Sequence, residues 1–349
     1  MTTDKRTDPF ELVGTTLAGK YDVEQVVEET ALSVVYRAVH RVLQRPVAIK
    51  AFKAPRHDEA WRRELLERFV REGALLMELS ERSAAVCQAR DVSAFTTERG
   101  VSIPYMVLEW LEGEPLEAML RRERVRGGKT IRTIQEAMRL LEPVAEALSL
   151  AHERGIVHRD VKPSNVFVMA EGRRCKLIDF GIAKLVDEVA SVDGLQTFTP
   201  AYGAPEQFSP DYGSVGTWTD VYALALVMVE LLIGREALGS DDIRALACLS
   251  CDPGRRPTPR TMGAHVGPAV EGVFLRALAL RPEHRFANVR EFWHALAVAV
   301  ALRTPSIPPA LDATIPIDLR RVRRRRNTPN SFVRVLGFLR TGTFSDEAG

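Results

Sequence analysis

Apolar and polar residues alternate from Tyr21 to about Glu109, in valine-rich runs such as Val34-Val35-Tyr36 and Val47-Ala48-Ile49, and a period of two predicts strands. One stretch, Glu59 to Leu79, breaks the alternation with helical spacing, so this part predicts a small sheet carrying one helix. Beyond Glu112-Gly113 the apolar period lengthens. Thr133 to Arg154 and Asp220 to Ile233 are the clearest apolar helices, and a helix-rich second lobe is expected. Prolines between Thr304 and Pro309 and at Pro316 end the periodic part. The expected organisation is a flexible N-terminus at 1–20, an α+β domain at 21–302 with lobes at 21–111 and 112–302, and a tail at 303–349. No internal repeat is visible.

Composition narrows the classes. With 349 residues, 46% hydrophobic and 27% charged, the chain suits one large two-lobed globular domain rather than several small ones. Lys+Arg 48 against Asp+Glu 46 leaves a net charge of +2, so charge alone predicts neither nucleic acid nor membrane as the main partner. No specific nucleic-acid binding is expected. Cys87, Cys175, Cys248 and Cys251 are too few for a disulfide framework and fit a reducing compartment. Cys248 and Cys251 form a CxxC, but no second pair or nearby histidine completes a zinc site. Met1 to Lys20 lacks the apolar run of a signal peptide, and Ala295 to Leu302 is far shorter than a membrane span. A cytoplasmic location is therefore expected.

Candidate chemistry concentrates in His158-Arg159-Asp160-Val161-Lys162-Pro163-Ser164-Asn165, followed after a short span by Asp179-Phe180-Gly181. Phosphoryl transfer needs a carboxylate that orients a hydroxyl and accepts its proton, and oxygen ligands that hold a divalent metal against the phosphate. Asp160 is suited to the first task, Asn165 and Asp179 to the second. This set resembles the protein kinase signature, in its bacterial serine/threonine form, and the likeness runs from about Tyr21 to Leu302. It implies a two-lobed kinase fold that binds ATP with Mg²⁺, or Mn²⁺ in its place, and phosphorylates serine and threonine hydroxyls of proteins.

The resemblance assigns further roles. Lys50 in Val47-Ala48-Ile49-Lys50 would grip the α- and β-phosphates, with Glu72 on the lobe's helix as its partner in preference to Glu64, Glu67 or Glu78. In Tyr105 to Gly113, Leu108 would guard the back of the adenine pocket, and the backbones of Glu109 and Leu111 would bond the base. Val27, Val35 and Ala48 above and Phe167 below would enclose the ring, Phe167 being bulkier than the aliphatic residue usual there. Lys162, two residues after Asp160, follows the serine/threonine pattern, and Thr199 sits where the family places a threonine that touches both. Residues from Gly181 to Pro205 resemble an activation loop, with Thr197 the first candidate for phosphorylation, Ser191 the second, and Arg159 the cation that would receive the phosphate. Glu206 would pair with Arg285, and Asp220 would brace the catalytic loop.

One segment departs from the family. Where a glycine-rich loop is expected, the chain reads Glu28-Glu29-Thr30-Ala31-Leu32-Ser33, and the glycine positions 28, 30 and 33 are all replaced. Unit charges at ~10 Å in water repel by only about 0.4 kcal/mol, so the acids cost little and steric misfit is the larger concern. Weakened ATP affinity or slower turnover is expected, with a pseudokinase serving as a binding module as the alternative. The connection after Leu79, Ser80 to Val86, also departs, and Arg121 to Lys129 reads as a solvated loop.

The tail carries Arg320-Arg321-Val322-Arg323-Arg324-Arg325-Arg326, then Phe332, Val335, Leu336 and Leu339 on one helical face. Three readings stand: a membrane-surface helix on anionic lipid, a docking segment for an acidic partner or the kinase's own surface, and a flexible arginine-rich tail.

Overall fold

The computed structural model describes residues 8–30, 33–53, 59–98, 100–127, 131–171, 174–180, 199–240 and 242–302, without the side chains of 59–66, 68 and 72. All of them belong to one unit, Met1–Thr304. The strands of the first lobe are β1 (Thr16–Leu17), β2 (Tyr21–Glu29), β3 (Ser33–His40), β4 (Arg45–Phe52), β5 (Ala89–Thr96) and β6 (Ser102–Glu109). They form one antiparallel sheet in the order β1-β2-β3-β4-β6-β5. Helix α1 (Glu59–Arg82) lies in the chain between β4 and β5 and buries Phe69, Leu76 and Leu79.

Alternation gives the sheet two faces. Val34, Tyr36, Val47, Ile49 and Val107 are almost completely buried and belong to a core of their own. This core reaches further toward the N-terminus than the sequence reading allowed. Residues 8–20 were expected to be flexible, but Leu12 and Leu17 are buried in it, β1 pairs with β2, and the Tyr36 hydroxyl donates to Asp8 Oδ1 at 2.7 Å. Two apolar side chains gain a dry surface, and a buried hydroxyl gains the acceptor it would otherwise lack.

The second lobe begins at β7 (Gly113–Pro115), which pairs with β8 (Val166–Met169), itself paired with β9 (Cys175–Leu177). Gly113, at φ 149°, is required there: a Cβ would stand 2.1 Å from the Val168 carbonyl oxygen. Helix α2 (Leu116–Arg126) covers most of the stretch read as a solvated loop. Leu116 and Leu120 fall one turn apart and are buried, which outweighs the four arginines on its other faces. Helix α3 (Ile134–His152) starts at a capping box in which Thr133 and Glu136 satisfy each other's backbone N–H groups.

Next come α4 (Pro205–Phe208), α5 (Thr217–Ile233), α6 (Ile243–Cys251), α7 (Pro268–Ala277) and α8 (Val289–Ala301). Every residue of α5 from Thr219 to Leu232 is buried, as expected of a helix that is apolar all round, and α3, α7 and α8 pack against it. Among the described residues no helix is long and apolar enough to cross a membrane. The altered segment after α1 links the lobes through main-chain bonds. Leu177 N–H donates to Ala85 C=O at 2.7 Å and Cys87 N–H to Leu177 C=O at 3.0 Å, two residues before Asp179.

Candidate active site

The less buried face of the first sheet turns toward the second lobe. Strand register pairs Val35 with Lys50 and Ala48 with Leu108, so these four side chains share a face, and all are partly buried. Val27 on β2 and Phe167 on β8 are partly buried as well. Glu109 closes β6 with its N–H donated to Gln88 C=O at 2.9 Å. A base held by Glu109 would therefore have to use its carbonyl. The Glu109 carboxylate accepts from Gln88 N–H at 2.8 Å and pairs with Lys176 of β9, a lysine with no local sequence signal. Leu111 follows in the connection to β7 and is half-buried.

The loop after α3 hangs on Asp220. Its Oδ2 accepts His158 N–H at 2.8 Å and lies 2.8 Å from His152 Nε2, while Oδ1 accepts Arg159 N–H at 2.7 Å. Burial alone would raise this carboxyl's pKa, but the bonds and charges of His152 and His158 outweigh it, and the net direction is downward. The two hydrogen bonds hold Arg159 at φ 65°, a left-handed conformation that costs free energy in a residue with a Cβ. Gln207 adds a third hold, donating Nε2 to the Arg159 carbonyl at 2.9 Å.

From this braced turn Asp160 gathers its neighbours. Lys162 Nζ lies 2.9 Å from Asp160 Oδ2 and donates to Thr199 Oγ1 at 2.5 Å, while Thr199 N–H donates to Asp160 Oδ1 at 3.1 Å. Asn165 Nδ2 donates to the Asp160 carbonyl at 2.8 Å and to Oδ2 at 3.2 Å. Asp179, itself at φ 58°, pairs with Lys50, Nζ to Oδ1 at 2.5 Å. Phe180 is buried with its ring centroid 5.0 Å from that of His158. The structure thus brings Asp160, Lys162, Asn165 and Thr199 into one cluster and ties Lys50 to Asp179 across the lobes.

Glu206 and Arg285 form a fork of two parallel bonds at 2.8 Å, with both side chains fully buried. Thr219 donates to Glu206 Oε1 at 2.7 Å, and Arg285 donates to the carbonyls of Ala279 and Leu280 and stacks 4.8 Å above the Tyr222 ring. These contacts fix the end of the segment that carries Thr199. Burial pushes the Cys87 and Cys175 thiols up to about 12, which removes both as nucleophiles near neutral pH.

Thr197, Ser191 and the tail with Arg320 to Arg326 lie outside the described residues, as does the side chain of Glu72, although its backbone belongs to α1. Gln207, His152 and Lys176 were missed by sequence reasoning. Their contacts span 48, 68 and 67 residues and leave no local pattern to read.

Comparison with known proteins adds the following. The protein kinase domain family matches residues 21–252. The serine/threonine-protein kinase Pkn1 of Myxococcus xanthus is 38% identical over 216 residues, covering 60% of this chain and 29% of the relative. The serine/threonine-protein kinase PknA of Mycobacterium tuberculosis is 30% identical over 297 residues, covering 85% and 65%. This chain therefore spans less than two thirds of the length of either curated relative. Among solved structures, the Mycobacterium tuberculosis PknI kinase domain aligns with a TM-score of 0.59 at 27% identity, over 82% of this chain and 98% of that one. The apo form of PpkA-294 aligns with a TM-score of 0.62 at 23% identity, over 84% and 99%, a likeness of fold.

Proposed function

The chain belongs to the protein kinase domain family, and from that premise we propose that it transfers the γ-phosphoryl group of Mg²⁺-ATP to serine and threonine hydroxyls of proteins, its own activation loop included. The observation that carries this reading is the cluster on Asp160: one carboxylate within hydrogen-bond reach of Lys162, Asn165 and the Thr199 backbone. Members of the family use ATP with a divalent metal, and the donor set here fits one. Asp179 is 39% exposed, and Asn165 commits its Nδ2 to Asp160, so a carboxylate and an amide oxygen remain, the hard ligands that Mg²⁺ prefers and Mn²⁺ accepts.

When bound, the metal neutralises charge on the phosphates. Asp160 orients the substrate hydroxyl and takes its proton, a role worth about 10²–10⁴ in rate. Lys162, held between Asp160 and Thr199, stabilises charge on the transferring group. Lys50 would anchor the α- and β-phosphates with Glu72 as its carboxylate partner, and Asp179 with Asn165 would hold the metal. Val27, Val35, Ala48, Leu108 and Phe167 enclose the adenine, which bonds the backbones of Glu109 and Leu111. Thr197, with Ser191 second, is the phosphorylation site answered by Arg159.

The test is a radiolabelled ATP assay on the purified chain beside Asp160→Asn, with the label mapped by mass spectrometry. Incorporation is expected to fall by about 10²–10⁴-fold in the variant. Equal label in both proteins would make the chain a binding module, and wild-type label absent from Thr197 and Ser191 would remove the regulatory assignment.

A further inference from the structure

Helix α1 meets the first sheet along one stripe. Phe69, Gly73 and Leu76 recur at helical spacing, and all three are buried. Phe69 packs edge-on against Phe52 of β4, with ring centroids 4.9 Å apart. Gly73, midway along the stripe, lies against Val92 and Met106. Strand register pairs Lys50 with Met106 and Met106 with Val92, so these three side chains share a face of the sheet, and the helix rests on the rung that carries Lys50.

The space at position 73 is smaller than a methyl group. A Cβ there would stand 2.6 Å from Val92 Cγ2, 3.2 Å from Val92 Cγ1 and 3.4 Å from the Met106 terminal methyl. Carbon atoms pack at about 3.5–4.0 Å, so the first contact would be short by about 1 Å. The methionine methyl can move aside, but valine is stiff at χ1 and both of its methyls already crowd the site. Gly73 is not among the residues of positive φ, so its backbone makes no demand for glycine. Helix propensity favours alanine over glycine in a helix interior. What glycine supplies here is the close approach of α1 to β5 and β6.

Glu72 immediately precedes this contact. Its position falls on the same side of α1, three residues after Phe69 and four before Leu76. Resting on the kinase reading, in which Glu72 is the carboxylate partner of Lys50, we propose that Gly73 is a positioning residue for that pair: it seats α1 closely enough on the Lys50 rung for position 72 to serve Lys50. A methyl group at 73 drives the helix outward by about 1 Å, and the phosphate anchor loses the alignment of its partner. A contact that served packing alone would shift stability and leave turnover per folded molecule as it was.

The experiment uses the full chain and follows steady-state transfer from Mg²⁺-ATP to casein, a generic serine-bearing acceptor, beside urea unfolding. Gly73→Ala should lower kcat/KM for Mg²⁺-ATP by about 10–10²-fold per folded molecule. Val92→Ala clears the space, so alone it should stay within about twofold of wild type, and added to Gly73→Ala it should restore most of the loss. On a Glu72→Gln background Gly73→Ala should change kcat/KM by no more than about twofold, because the carboxylate it displaces is gone. Should Gly73→Ala fail to fold, Val92→Ile presses the same contact from the sheet side and should lower kcat/KM by about threefold or more. Wild-type kcat/KM in Gly73→Ala, or in Val92→Ile used in its stead, overturns the role of Gly73 and leaves the kinase reading standing. So does a loss that Val92→Ala does not relieve, or one that persists in full on the Glu72→Gln background. Glu72→Gln that turns over as wild type does overturns the pairing with Lys50, and wild type that labels nothing overturns the kinase reading itself.

Discussion

Asp220 is a carboxylate with no access to water that carries two backbone N–H groups and a histidine on its two oxygens. Its folded-state pKa lies below the ordinary 3.8, so its contribution to stability is whole above that value. As pH falls below 3.8 the unfolded chain takes up the proton first, and the contribution drains away toward the lower folded-state value. Asp220→Asn puts an amide where charge-assisted acceptors were and should cost about 3–5 kcal/mol. Urea unfolding between pH 3 and 7 checks both claims: wild type should weaken below about pH 4 more steeply than the variant, and parallel pH curves would remove Asp220 as the titrating group. The grouping of Asp160, Lys162 and Asn165 was legible in the sequence because the three stand within one short run that the family resemblance singles out. Lys176 was not. Its carboxylate partner, Glu109, lies 67 residues away on another strand.

Among the secondary-structure elements, α5 was readable because an apolar run of helical length has nowhere to go but inside. Helix α2 was hidden by Arg121, Arg122, Arg124 and Arg126, since an arginine-rich stretch looks solvated whatever its backbone does. One of those arginines ties α2 to α5. Arg124 donates to Glu230 Oε1 at 2.5 Å and to the Gly234 carbonyl at 2.9 Å, while the Tyr202 hydroxyl donates to Glu230 Oε2 at 2.6 Å. Burial, followed by the Glu230 charge, raises the Tyr202 pKa, so the tyrosine remains a donor at any working pH. Arg124→Ala leaves the buried Glu230 with only that donor from this set. The loss should be about 1–3 kcal/mol, less than for a wholly buried pair because the Arg124 side chain is 34% exposed. A urea midpoint equal to wild type would show that the two helices do not depend on this link.

For the molecule as a whole, the α+β two-lobed architecture followed from the change of period near Glu112-Gly113, while the start of the folded part did not. Leu12 and Leu17 sit in a stretch too short and too polar to show any period, and Asp8 meets Tyr36 across 28 residues. Removing residues 1–17 uncovers the two leucines' contacts, bares the edge of β2 and orphans the Tyr36 hydroxyl. At ~1.5–3 kcal/mol per leucine the shortened chain should lose about 3–6 kcal/mol and associate through the open edge, which melting and light scattering would detect. A melting point equal to that of the full chain would make the segment ornamental. The fork between Glu206 and Arg285 has a different bearing, on biosynthesis. A ribosome working at ~5–20 residues per second needs about 4–16 s to advance the 79 residues from one partner to the other. For that interval the nascent chain holds Asp160 and Asp179 but not the Arg285 guanidinium that locks the segment carrying Thr199, and the lock closes only late in translation of residues 8–302.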